Sequence, residues 1–232
     1  MKVGTDGVLL GAWAFQGSEA EEPWRILDVG CGTGVIALMM AQRFPAASIT
    51  GIEIDADAAE ESAMNFAASP WGSRLDAVCA DFVEYAINEC TRLERDADGF
   101  DMIVSNPPFF TNGALAPDFS RRTARHEGAL DLSSLISHSA RLLKPGGRIG
   151  IVLPTEQCGR LEFLAALAGL DVACECMVKT VEHKAPRRVL YELTNLKPST
   201  GRPIEDSLTL QSEGGMPGDE YRKLVEPFYI RI

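Results

Sequence analysis

The sequence lacks the features that mark several classes of protein. Its 232 residues contain no apolar run of the length, about 18 residues, that a transmembrane helix needs. The first residues show no basic segment followed by an apolar one, so no signal peptide is indicated. The six cysteines have neither the spacing of a disulfide framework nor that of a zinc site. We therefore expect a cytoplasmic protein with reduced cysteines and no metal.

Positive charge is also scarce. The chain has 22 lysines and arginines against 33 acidic residues, a net charge of −11, which argues against a surface generally coated by nucleic acid. The distribution is uneven, because residues 179–202 contain six bases and two acids. This segment can form a local basic face or can simply be solvated surface, and charge alone does not decide between them.

A short apolar strand followed by a glycine-rich turn stands near the start of the chain. Residues 25–29 include Ile26, Leu27 and Val29 and predict a buried strand. The next five residues read GCGTG, and a helical apolar pattern follows directly. Such a strand, turn and helix N-terminus let a ligand approach bare backbone, although an ordinary turn can look the same.

Two acidic strand ends indicate which ligand this turn receives. Asp28 precedes the first glycine, where a carboxylate would repel a pyrophosphate but suit a cation. Glu53 ends the second predicted strand, about 20 residues after the turn, the spacing at which an acid binds ribose hydroxyls. A positively charged nucleoside without phosphate fits both facts. We assign the ribose contact to Glu53 and the cap of the next helix to Asp55, and the reverse assignment stays open. The predicted cofactor contacts of the turn are Asp28, Gly30, Gly32, Gly34 and Glu53.

A rigid loop follows the fourth predicted strand, beside the glycine turn. Its residues Asn106, Pro107, Pro108 and Phe109 cannot continue a helix or a strand, because two prolines are adjacent. The Asn106 side-chain oxygen and the Pro107 carbonyl can accept both N–H bonds of a planar amine and aim its lone pair at an electrophilic methyl group. Phe109 can then stack on the planar substrate. These four residues are the predicted catalytic group.

A long polar loop, residues 111–128, follows this motif. Loops of this length are usually functional or disordered. Arg121, Arg122 and Arg125 stand close in sequence to the proposed target pocket and can bind phosphates, and we count Phe110 with them as a predicted substrate contact. A solvated loop without a ligand is the alternative.

Several of these motifs resemble those of a known enzyme class. The DVGCGTG of residues 28–34 resembles the first motif of the class I S-adenosylmethionine methyltransferases. The NPPF of residues 106–109 resembles the motif of methyltransferases that act on planar amino nitrogens, with Phe where many relatives carry Tyr. The stretches 2–14, 184–192 and 208–230 are similar to a bacterial tRNA adenine-N6 methyltransferase family. The resemblance therefore covers nearly the whole chain.

The resemblance implies further residues of the cofactor site. In that family the segment before the glycine motif, here residues 1–16, closes one side of the cofactor pocket, which would place Thr5, Asp6 and Gly7 near the methionine end. A further segment usually precedes it there. Thr5 or Asp6 can also cap a short helix over residues 7–14.

The end of the third predicted strand completes the implied cofactor site. In this class an acid there meets the adenine amino group, which implies that role for Asp81, with Phe82 covering the ring. Asp81 is equally suited to cap the helix that follows.

We expect a single doubly wound α/β domain over residues 1–232, with a seven-stranded, mostly parallel sheet whose last strand is antiparallel. The resemblance implies S-adenosyl-L-methionine as cofactor, S-adenosyl-L-homocysteine as product, and methylation of N6 of adenosine 37 in a valine tRNA. We expect a monomer. The NPPF motif alone leaves open a glutamine side chain of a protein or N2 of an rRNA guanine. A module that binds the cofactor without turnover is the third hypothesis.

The predicted strands cover residues 25–29, 48–54, 74–80, 100–104, 148–153, 170–178 and 187–194.

Overall fold

A computed structural model describes residues 4–96, 99–108, 130–197 and 203–229. Within these ranges the chain forms seven α-helices and eight strands, and helices and strands alternate over most of its length. The elements are α1 (Thr5–Trp13), β1 (Arg25–Val29), α2 (Val35–Arg43), β2 (Ser48–Glu53), α3 (Ala56–Ala68), β3 (Leu75–Cys79), α4 (Phe82–Asp96), β4 (Phe100–Ser105), α5 (Leu132–Leu142), β5 (Leu143–Pro154), α6 (Cys158–Leu167), β6 (Asp171–Lys179), β7 (Arg188–Thr194), β8 (Ile204–Thr209) and α7 (Asp219–Val225).

The strands form one sheet in the order β3-β2-β1-β4-β5-β7-β6-β8. Of the described strands only β7 runs against the others, since it pairs antiparallel with both β5 and β6. The mostly parallel α/β fold with an antiparallel strand near its C-terminus is confirmed, but the predicted count of seven strands is wrong. The additional strand, β8, lies at the edge beside β6, and the side chains of its first four residues are exposed. β8 is a strand because its backbone pairs with β6, so its sequence has no apolar pattern from which a strand could be predicted.

Helices cover both faces of the sheet because successive side chains of a strand point to opposite faces. In β1 and β4, Ile26 and Met102 pack with α1, α2 and α3, whereas Leu27 and Ile103 pack with α4, α5 and α6. All four side chains are at most 2% exposed. This double cover explains why the central strands read as near-continuous apolar runs. Among the described residues no helix is long and apolar enough to cross a membrane.

The start of α1 differs from the sequence prediction. The helix begins at Thr5, and its N-cap is Gly4, which makes no side-chain capping bond. Thr5 and Asp6 therefore lie in the first turn rather than before it. The predicted cap of α3 is confirmed, since Oδ1 of Asp55 accepts the amide of Ala58 at 3.0 Å.

Candidate active site

The glycine loop, residues 30–34, turns at the C-terminal end of β1 and leads into α2. Gly30, Gly32 and Gly34 have φ values of 71°, 57° and 87°, which favour glycine. The amides of Gly30 and Cys31 both donate to the carbonyl of Ile52, at 2.9 and 3.0 Å. The loop is therefore tied to the end of β2, and the strand, turn and helix lie where the sequence predicts them.

Two glycines of this loop have very different surroundings. A Cβ on Gly34 would lie 2.3 Å from Cε1 of Phe66, so α3 packs directly on the loop backbone. A Cβ on Gly30 would have no atom of the described residues within 4 Å. The loop is thus closed against α3 and open at Gly30, where a ligand can approach it. Sequence reasoning missed Phe66, because it looks like any other apolar residue of a helix.

Glu53 connects the end of β2 to this loop. Its Oε2 accepts the amide of Gly32 at 2.9 Å, and its Oε1 accepts the amide of Asp55 at 3.0 Å. An ionised carboxylate has about four acceptor positions, so Glu53 can still bind the hydroxyls of a ribose. The structure places Glu53 at the glycine loop, as the predicted ribose contact requires.

Asp28 lies beneath the loop with its side chain fully buried. Its Oδ2 accepts the amide of Ala37 in α2 at 3.0 Å, while its Oδ1 is buried without a hydrogen-bond partner among the described residues. Burial raises the pKa of Asp28 to about 7; the Ala37 amide lowers it and the charge of Glu53 raises it further. Burial also raises the pKa of the Cys31 thiol, with further contributions from these two carboxylates.

The site fits the cofactor that the sequence implies. Two carboxylates, Asp28 and Glu53, approach a glycine loop at a helix N-terminus, and one carboxylate oxygen of Asp28 is buried without a partner in the part of the chain that the structure describes. This donor set suits a sulfonium or ammonium group and a ribose, whereas a pyrophosphate would be repelled. The residues present therefore fit S-adenosylmethionine.

The Asn106 segment is held beside the glycine loop by a neighbouring side chain. Oγ of Ser105, at the end of β4, donates to the carbonyl of Val29 at 2.8 Å, so the ends of β4 and β1 are joined. Asn106 is half-buried, Pro107 is buried and Pro108 is exposed. Ser105 was not among the predicted residues, because a serine before Asn-Pro-Pro carries no signal of this long-range bond.

Helix α1 closes the site from a second side. A Cβ on Gly7 would lie 3.6 Å from Nδ2 of Asn106, so the first turn of α1 lies against the predicted catalytic side chain. Asp6 in the same turn pairs with Arg188 of β7 at 2.7 Å between Oδ2 and Nε. Gly7 thus lies next to Asn106, Thr5 and Asp6 precede it in the same helical turn, and Arg188 is an additional residue that the sequence did not indicate.

A buried charge network anchors the other end of α1. Glu192 of β7 accepts the amide of Phe15 at 2.6 Å and pairs with Arg148 of β5 at 3.1 Å. Arg148 also bonds the hydroxyl of Ser18 and lies over the Phe15 ring, 5.3 Å from its centroid. Arg43 donates to the carbonyls at the C-terminal end of the helix. These contacts fix the segment that presents Gly7 to the site.

Asp81 and Phe82 stand at the end of β3 but point to different neighbours. Oδ1 of Asp81 accepts the amides of Val83 and Glu84 at 2.8 and 3.0 Å, so Asp81 caps α4. Phe82 is 4% exposed and meets His138 edge-on, with ring centroids 6.5 Å apart. The capping role is therefore seen directly, and contacts of the two residues with adenine stay predictions.

The remaining predicted residues, Phe109, Phe110, Arg121, Arg122 and Arg125, lie outside the described residues. The same holds for the whole predicted substrate loop, so these roles stay predictions. Across the ranges that the structure describes, no group of three or more His, Cys, Asp or Glu side chains could hold a metal ion.

Comparison with known proteins gives consistent results for sequence and fold. The methyltransferase small domain family matches residues 18–175. The tRNA1(Val) (adenine(37)-N6)-methyltransferase of Porphyromonas gingivalis is 43% identical over 230 residues, 99% of this chain and 89% of the relative. The protein of the same name from Bacteroides fragilis is 40% identical over 232 residues, 100% of this chain and 92% of the relative.

A solved structure agrees at the level of the fold. The crystal structure of a predicted O-methyltransferase from Agrobacterium tumefaciens superposes with a TM-score of 0.68 and covers 95% of both chains. Its sequence identity is 17%, so this likeness concerns the chain path and carries no statement about substrate.

Proposed function

The chain belongs to the methyltransferase small domain family and to the family of tRNA1(Val) (adenine(37)-N6)-methyltransferases, and from this premise we propose that it is a tRNA-modifying enzyme. It transfers a methyl group from S-adenosylmethionine to N6 of an adenosine in tRNA, adenosine 37 of a valine tRNA. The names of the relatives support this substrate. A cytoplasmic location and a monomeric state accompany the proposal as predictions.

The observation that carries the proposal is the position of Asn106. Ser105 ties the end of β4 to the carbonyl of Val29, one residue before the glycine loop, and Gly7 lies against the Asn106 amide. A target amine bound to Asn106 would therefore face a cofactor bound over Gly30. A module that only binds the cofactor has no use for this juxtaposition.

The proposed mechanism uses hydrogen-bond acceptors rather than a strong base. Oδ1 of Asn106 and the carbonyl of Pro107 accept the two N6 hydrogens, which localises the nitrogen lone pair and directs it toward the methyl donor. Pro107 and Pro108 restrict the backbone and so keep these acceptors in place. S-adenosylmethionine, held at Glu53 and the backbone of Gly30, would supply an electrophilic methyl group on a sulfur that can leave with the electrons of the C–S bond. Asn106 and Pro107 would hold N6 toward that methyl group, and the N6 proton would pass to water.

The residues that would hold the cofactor are those that surround the glycine loop. Glu53 accepts hydrogen bonds from the ribose, the open backbone at Gly30 receives the ligand, and the carboxylate of Asp28 favours its positive charge. The target base must leave its stack to reach Asn106. An anticodon loop permits this at lower cost than a duplex does.

The test is transfer of labelled methyl from S-adenosylmethionine to total tRNA from cells that lack this protein, followed by nucleoside analysis. We expect labelled N6-methyladenosine. Label in a protein fraction instead would move the substrate to a glutamine side chain, and a labelled guanine would move it to N2 of rRNA. Cofactor binding without any transfer would overturn the enzymatic proposal.

Substitution of Asn106 tests the mechanism itself. In the Asn106→Ala variant we expect turnover to fall by about 10²-fold or more, because one acceptor for the N6 hydrogens is lost. Cofactor affinity should stay near that of the wild type. Asn195→Ala is the matched control. This asparagine forms hydrogen bonds with Gly146 and Lys144 at the opposite end of the strands from Asn106. Equal turnover of the two variants would refute the role of Asn106.

A further inference from the structure

The hairpin between β6 and β7 is basic, whereas the molecule as a whole is acidic. This basic hairpin, residues 179–188, reads KTVEHKAPRR and contains four bases and one acid, in a chain of net charge −11. It lies beyond residues 18–175, which match the methyltransferase small domain. The proposed methyl transfer does not use any of its side chains.

The hairpin has a defined backbone that can present its side chains in a fixed arrangement. Val178 of β6 pairs with Arg188 of β7, and the amide of Arg187 donates to the carbonyl of Val178 at 3.0 Å. Within the turn, the amide of Lys184 donates to the carbonyl of Val181, also at 3.0 Å. A surface with this much backbone order loses little conformational freedom when a partner binds.

The hairpin lies at the end of the sheet that carries the candidate active site. Strand β6 ends and β7 begins at the same end of the sheet where β4 leads into Asn106, because β6 runs parallel to β4 and β7 runs against it. Arg188 pairs with Asp6 in the first turn of α1, and the next residue, Gly7, lies against Asn106. Among the described residues, the first turn of α1 therefore connects the hairpin with the Asn106 segment.

Two of the four bases are engaged within the protein and two point outward. Lys179 pairs with Glu182 at 3.0 Å, and Arg188 pairs with Asp6 at 2.7 Å. Lys184 and Arg187 are exposed, and within the described ranges neither takes part in an ion pair. These two side chains are available to a ligand that approaches the end of the sheet that carries the candidate active site.

We propose that the basic hairpin binds the phosphate backbone of the RNA whose base enters the site at Asn106, with Lys184 and Arg187 as the phosphate contacts. The inference rests on the proposed function. A polyanionic substrate is repelled by the net charge of −11, so it needs a local positive surface next to the reacting position. Two exposed bases on an ordered turn beside the pocket meet this need.

The experiment compares two double variants that remove the same charge. Lys184→Ala/Arg187→Ala changes the hairpin, whereas Arg141→Ala/Lys197→Ala changes exposed residues at the opposite end of the strands. For each protein, tRNA affinity is measured over a range of salt concentrations, together with kcat and KM for tRNA. Affinity for S-adenosylmethionine, measured by calorimetry, reports whether the cofactor site is intact.

For the hairpin variant we expect binding to tRNA to weaken roughly tenfold or more at about 0.1 M salt, and the slope of log K against log salt to fall by between about 1 and 2. KM for tRNA should rise with little change in kcat and in cofactor affinity. Equal losses in both double variants would mean that net charge alone acts, which overturns the hairpin proposal. Methylation of tRNA by the wild type with no change in the hairpin variant would overturn the hairpin proposal alone. A wild type that does not methylate tRNA would overturn the proposed function with it.

Discussion

Replacing Gly34 by alanine would test how tightly the glycine loop is fitted to α3. Gly34 has φ of 87°, and its missing Cβ would lie 2.3 Å from Cε1 and 2.9 Å from Cζ of Phe66. Gly30 is the natural control, since it has a similar φ of 71° but no described atom within 4 Å of a Cβ. The two variants share the backbone strain and differ in the steric conflict.

The expected effects follow from these two terms. A left-handed conformation costs a non-glycine residue roughly 1–2 kcal/mol, and overpacking of a filled interior costs roughly a further 1–3 kcal/mol. We therefore expect Gly30→Ala to lower the free energy of unfolding by about 1–2 kcal/mol and Gly34→Ala by about 2–5 kcal/mol. Phe66 is 2% exposed, so its ring has little room to move away.

Denaturant unfolding of the single variants, of Phe66→Leu and of the double variant Gly34→Ala/Phe66→Leu measures both terms. The double-mutant cycle should show that the smaller side chain recovers about 1–3 kcal/mol of the loss in Gly34→Ala. If Gly34→Ala is no less stable than Gly30→Ala, or if the cycle gives no coupling, the packing of Phe66 does not constrain the loop.

Two further predictions concern the carboxylates of the site. Glu53→Ala should weaken binding of S-adenosylmethionine by roughly 1–3 kcal/mol through lost hydrogen bonds to ribose. The control Glu60→Ala, which removes an exposed charge from α3, should leave this affinity unchanged. Calorimetry that gives equal affinities for the two variants would exclude Glu53 from the site. The pKa of Asp28 is raised to about 7 in the folded protein, so between about pH 4 and 7 the folded state binds more protons than the unfolded state. The free energy of unfolding therefore falls as pH rises through this window. From about pH 5 to about pH 8 we expect the free energy of unfolding of the wild type to fall by roughly 1–3 kcal/mol relative to Asp28→Asn, and parallel pH profiles would contradict this.

The sequence by itself determined the local elements around the glycine loop. β1 occupies the five predicted residues, the turn and α2 follow directly, and Asp55 caps α3. These features depend on neighbours in the chain: apolar runs, glycines that tolerate positive φ, and a short side chain that reaches an amide three residues ahead. The parallel α/β class also follows from the alternation of strand and helix patterns.

Only the tertiary structure decided which distant residues meet at the site. The close approach of Gly7 to Asn106, the ion pair of Asp6 with Arg188 and the hydrogen bond of Ser105 with Val29 join segments far apart in the chain. Their existence depends on the order of strands in the sheet, which local periodicity does not contain. The polar edge strand β8 was missed for the same reason, because its partner β6 supplies the hydrogen bonds that make it a strand. Local pattern sets each element, and long-range packing sets the constellation that these elements carry.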